Sequence, residues 1–133
     1  MKRVLLFTMA VLFATFSIAQ TQYELNMNAK KKYEEADKEL NEVCKKILNK
    51  YKTDPDFIKN LKKAQKLWVQ LRDTEMEVKF PKRESGYYGS VQPMCWTMYK
   101  EELTRERIKI LNVWLDGIEE GDVCSGSIKQ KDE

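Results

Sequence analysis

The chain has 133 residues, 24 Lys and Arg against 21 Asp and Glu, no histidine, three cysteines and a net charge of +3. That length suits one domain with a single core and no need of staples. A near-neutral, densely charged surface carries no bias toward nucleic acid or an anionic membrane, and the lack of histidine beside three scattered cysteines argues against a transition-metal site.

The N-terminus comes first in chain order. Lys2 and Arg3 precede an apolar run from Val4 to Phe16, and Ser17-Ile18-Ala19 places small residues before a candidate cut at Gln20. This is the layout of a secretory signal peptide over 1–19. Thirteen residues are too few to cross a bilayer core, which needs about 20. The residue after the cut is Gln20 and not a lipid-accepting cysteine. The chain is therefore expected to be periplasmic or secreted, with no stable membrane insertion once the signal is removed. Losing Lys2 and Arg3 takes the charge from +3 to +1.

Three helices follow. The first is predicted over about 23–51, with Tyr33, Leu40, Cys44, Ile47, Leu48 and Tyr51 on one face. Thr53-Asp54-Pro55-Asp56 breaks it and starts the second helix, which runs to Phe80 before Pro81. Leu61, Trp68 and Met76 form its apolar stripe, and Gln65 and Arg72 fall inside that stripe. The third helix is predicted over about 96–118, with Leu103, Ile110, Leu111, Trp114 and Ile118 aligned and Arg107 among them. The fold class is all-α: a small antiparallel three-helix bundle with one long loop between helices 2 and 3. The domain is expected over 20–124, with a flexible polar tail over 125–133.

A short turn makes helices 1 and 2 antiparallel neighbours. Counting outward from Asp54-Pro55 brings Asp37 level with Arg72, Asn41 with Trp68, and Leu48 with Leu61. A guanidinium cannot be deprotonated, so an Arg72 inside an apolar stripe needs a carboxylate or several acceptors nearby. Asp37 is the predicted partner. Asp37, Asn41, Gln65, Trp68, Arg72 and Arg107 are then a structural polar core that fixes helix register. A catalytic role for Asp37 is the weaker reading, because a carboxylate paired with arginine is a poor base at neutral pH.

Residues 81–95 hold two prolines, two glycines and two adjacent tyrosines, and fifteen residues are long for a helix–helix connection. Tyrosine with serine and glycine suits a binding surface, which makes Ser85, Tyr87, Tyr88, Gly89, Ser90 and Gln92 the candidate binding residues. The other reading is that Tyr87 and Tyr88 cover one end of the bundle. Of the cysteines, Cys95 and Cys124 lie too far apart along helix 3 to bond. Cys44–Cys124 is the pairing that remains, and it requires the tail to fold back. Cys44 also fits as plain core.

Five motifs now stand in order: Glu24-Leu25-Asn26; Tyr33 with Ala36-Asp37 and Leu40-Asn41; Ala64-Gln65-x-x-Trp68-x-x-x-Arg72-Asp73; Gly89-Ser90-x-x-Pro93-Met94; and Leu103-Thr104-x-x-Arg107. Together they resemble the LprI-like family of bacterial lysozyme inhibitors, small exported helical domains, over about 22–114. The resemblance implies a non-catalytic protein that binds a lysozyme-type muramidase, with the 85–92 loop as the inserted element. The alternative is an envelope protein-binding or assembly module with no lysozyme target. Cysteines common in the family are replaced here by Asn28, Met76 and Tyr99, so its disulfide framework is absent. An enzyme is not expected: there is no histidine, no glycine-rich phosphate loop and no nucleophile beside an activating base. No cofactor, metal or nucleic-acid partner is implied.

Overall fold

A computed structural model describes residues 2–131, with side chains described from Thr21 onward. Three helices make up the architecture: α1 (Lys2–Lys50), α2 (Pro55–Lys79) and α3 (Gln92–Asp116). The candidate signal peptide falls on residues whose side chains lie outside the described part. Its backbone continues α1, so that helix starts well before the predicted residue 23 and is about twice the length of α2 or α3. Among the described residues no helix is long and apolar enough to cross a membrane.

The turn between α1 and α2 behaves as its sequence dictates. Asp54 caps α2, its Oδ1 accepting from the Phe57 backbone N at 2.9 Å, and Pro55 occupies the first helical position, where its missing N–H costs nothing. Proline explains the boundary at α3 as well. Pro93 sits in the first turn of a helix that begins at Gln92, so the connection is shorter than the predicted 81–95 and Gln92 belongs to the helix.

Cross-links fix the direction of each helix. Arg105 reaches Glu39, and Lys50 Nζ donates to the Leu115 carbonyl, so α1 and α3 run parallel. Arg72 meets Asp37 and Arg107 meets Gln65, so α2 runs antiparallel to both. The chain is an all-α, up-down-up bundle. Its tightest packing joins α1 to α3, not α1 to α2 as the short turn suggests. Small buried residues, Ala29 and Ala36 on α1 and Thr104 on α3, permit that close approach, whereas Trp68 and Arg72 hold α2 further off.

Leu40, Val43 and Ile47 on α1, and Tyr51 just beyond its end, pack with Ile108 and Leu111 on α3 to form the core. The buried face of α3 is centred on Thr104, Ile108 and Leu111. Ile110, predicted to line that face, is exposed, because the α1 contact rotates the helix away from it.

The C-terminal segment departs furthest from expectation. Instead of running free, 125–131 folds back: the Ile118 N–H donates to Lys129 O at 3.1 Å, the Lys131 N–H to Ile118 O at 2.9 Å, and the Lys129 N–H to the Tyr51 hydroxyl at 3.0 Å. That hydroxyl in turn donates to the Trp114 carbonyl. Gly117 makes the return possible. Its φ is 74°, and a Cβ there would lie 3.0 Å from the backbone of Lys129, Gln130 and Lys131. All three thiols are nevertheless free. The tail docks at Tyr51, two helical turns (about 10 Å) beyond Cys44, and Cys124 stays exposed.

Candidate functional site

The six residues expected to form a polar core divide. Arg72 is 7% exposed and is held by Asp37 Oδ1 at 3.7 Å and by Asp73 Oδ1 at 3.1 Å. Its guanidinium carbon lies 5.2 Å from the Trp68 ring centroid, and that of Arg107 lies 5.8 Å from the same ring. Arg107 Nε donates to Gln65 Oε1 at 3.0 Å. One indole is thus approached by two guanidiniums, one from α2 and one from α3. Asn41 stands at the edge of this group. It is exposed, and it meets the group only through Asp37 of its own helix, its amide donating to the Asp37 carbonyl at 2.8 Å and to Asp37 Oδ2 at 3.4 Å.

Asp73 is the member that counting from the turn misses. It is the carboxylate nearest Arg72 and also receives Lys100 Nζ at 3.6 Å, which ties α2 to α3. The signal was present as the Arg72-Asp73 dipeptide, but adjacent residues on a helix point in different directions and only the flexible guanidinium closes that gap. Burial pulls Arg107 below the usual arginine range, and burial likewise pushes the Cys44 thiol above its ordinary value, with the Arg107 charge opposing the rise. Asp37, Gln65, Arg72, Asp73 and Arg107 are each tied to a side-chain partner, and the pairs join all three helices. Chemically the arrangement is a clamp.

Residues 80–91 form the second candidate. Gly86 and Gly89 take φ of 83° and 71°, and the turns close through Tyr87 N–H to Glu84 O at 3.1 Å and Gly89 N–H to Gly86 O at 3.0 Å. Tyr88 is a latch: its hydroxyl donates to the Pro81 carbonyl at 2.7 Å, and its ring stands edge-on to Phe80 and to Tyr87. Phe80 in turn packs against Trp96 at the start of α3. Tyr87 faces outward, 68% exposed, with the Arg83 guanidinium 5.9 Å above its ring.

Ser85, Gly89 and Ser90 are exposed beside Tyr87, whereas Tyr88 and Gln92 are half-buried. The two readings of the tyrosine pair therefore separate by residue, Tyr88 covering the bundle end and Tyr87 leaving it. Arg83, Phe80 and Trp96 join this region and were not among the expected residues. Tyr99, on the next turn of α3, donates to Glu75 of α2 and lies under the Lys79 ammonium.

A further concavity of about 430 Å³ opens between the first turns of α2, α3 and the returning tail, lined by Phe57, Leu61, Arg107, Leu111, Trp114 and Ser127. It was not legible beforehand, because Ser127 reaches it only when the tail folds back. Among the described residues no group of His, Cys, Asp or Glu is placed to hold a metal ion.

Comparison with curated proteins and with solved structures returns no match in either case. A family model described as lysozyme inhibitor LprI matches residues 16–111, a span that contains α2, the 80–91 loop and both arginines of the clamp. The chain belongs to the LprI lysozyme inhibitor family.

Proposed function

We propose that this chain is an exported, non-catalytic inhibitor of a lysozyme-type muramidase, and that the 80–91 loop is the element that enters the enzyme. Family membership supplies the target class. The observation that carries the choice of loop is the division of labour between its tyrosines. Tyr88 is fastened to Pro81 and Phe80, and Tyr87 is thereby presented to solvent on a backbone already turned by Gly86 and Gly89. A fixed aromatic anchor loses little freedom on binding.

The local charge fits as well. Muramidase clefts are built around two carboxylates, and Arg83 stands beside Tyr87 at the loop tip. That cation acts locally on the cleft carboxylates, since a whole-molecule charge of +1 after signal removal gives no long-range attraction to a basic enzyme. Export follows from the signal pattern, with cleavage before Gln20 placing the mature chain in the periplasm or outside the cell.

A lysis assay with the purified protein tests this reading. The wild-type protein slows muramidase lysis, and Tyr87→Ala weakens inhibition by about tenfold or more with an unchanged melting curve. Tyr88→Phe, which keeps the ring but removes the hydroxyl latch, weakens it less. Unchanged lysis at a large molar excess of the wild-type protein rejects the inhibitor reading and favours the envelope-binding alternative.

A further inference from the structure

α2 has two apolar stripes, and the bundle uses one. Leu61, Gln65, Trp68, Arg72 and Met76 turn inward. Next to it, about 100° around the helix, Asn60, Ala64, Leu67, Leu71, Thr74 and Val78 follow an alternating four-three spacing, the seam of a coiled coil. Every one of these six is exposed, Leu67 by 55%, Leu71 by 57% and Val78 by 77%. Thr74 spends its hydroxyl on the Gln70 carbonyl at 2.9 Å, so it adds no unmet polar group to the stripe.

The charges beside this seam indicate what covers it. Lys63, Gln70 and Glu77 each precede a seam residue and recur at seven-residue intervals, basic, neutral and acidic in turn. All three are exposed. Among the described residues neither Lys63 nor Glu77 enters an ion pair within the chain. In a parallel pair these positions face the opposite flank of the partner helix, here Leu61, Trp68 and Glu75, which lie toward the bundle. In an antiparallel pair they face each other.

We propose that a second copy of this chain docks antiparallel along the outer face of α2. Leu67, Leu71 and Val78 are covered, and Lys63 of each copy meets Glu77 of the other about a twofold axis near Gln70. The interface is isologous, so it closes at two copies. Asn60 and Thr74 in a short seam keep the affinity moderate. The 80–91 loops then lie at opposite ends of the pair, free of the interface. The inference does not depend on the identity of what those loops bind.

Sedimentation equilibrium on the full chain tests it, with circular dichroism as the check on folding. The wild-type protein reaches about twice the monomer mass at high micromolar concentration, within the range of a moderate dimer. Lys63→Glu and Glu77→Lys each remove two pairs and set like charges opposed, raising the dimer dissociation constant about tenfold or more. The double variant restores both pairs and returns to the wild-type value, while Leu71→Glu remains monomeric and folded. A wild-type protein that stays monomeric overturns the proposal. So does a dimer indifferent to the single swaps, or a folded double variant that fails to recover.

Discussion

Arg72 shows how residue-scale geometry sets energetic weight. A fully buried ion pair broken at one partner costs about 3–5 kcal/mol, but Asp37 is 43% exposed and Asp73 stands closer to the same guanidinium. Asp37→Asn is therefore expected to cost under about 1 kcal/mol, the range of an exposed pair. Replacing both Asp37 and Asp73 by Asn strands the buried guanidinium on the Trp68 ring and costs about 3 kcal/mol or more; urea unfolding of the two variants reads the difference. Cys44 gives the pH counterpart. Burial raises its thiol above the ordinary 9.0 in the folded state, so the unfolded chain releases this proton first as pH rises. Stability from this group is whole below pH 9 and falls above it. Thermal melts between pH 8 and 10.5 are expected to decline less steeply for Cys44→Ala than for the wild-type protein.

At the scale of elements, the α1–α2 turn was legible because its signals are local. Asp54 and Pro55 act on backbone groups within three residues, and no distant contact is needed to place the start of α2. Asp54→Ala leaves the Phe57 N–H without its acceptor and is expected to lower stability by about 1 kcal/mol, measurable by urea denaturation. The start of α3 misled for the same physical reason that Pro55 informed: proline breaks a helix from inside and begins one from the first turn. Read from the sequence, Pro93 belongs to the loop; in the structure it lies in the first turn of α3. The inward stripe of α2 could be read from periodicity. The rotation of α3, with Ile110 outward and Ile108 inward, could not, since both choices leave an apolar face and only the close approach of α1 selects one.

The whole molecule is closed by its tail. Tyr51 follows the end of α1, bonds the last turn of α3 through Trp114 and receives the Lys129 backbone, so one hydroxyl gathers three segments. Truncation after Cys124 removes that contact, the two hydrogen bonds to Ile118 and the Ser127 wall of the adjoining cavity. The truncated protein is expected to melt about 3–10 °C lower, equivalent to the loss of one to three net hydrogen bonds. Differential scanning calorimetry reads the shift. The clamp and core hold one end of the bundle, and Tyr88 with Phe80 and Trp96 closes the other. Tyr99 links α2 and α3 through Glu75 and Lys79 without a covalent bond.

Spacing along one helix and counting from one turn suffice for the helix count, the Asp54-Pro55 turn and the Asp37–Arg72 partnership, and five motifs in order carry the family. Tertiary packing alone sets which helices lie closest, that Asp73 joins Asp37 on the Arg72 guanidinium, and that 125–131 returns to Tyr51. Those outcomes depend on side-chain size at the α1–α3 contact, on the reach of a flexible guanidinium, and on a backbone approach at Gly117 too tight for a Cβ. None of them is periodic, so no pattern in the chain announces them.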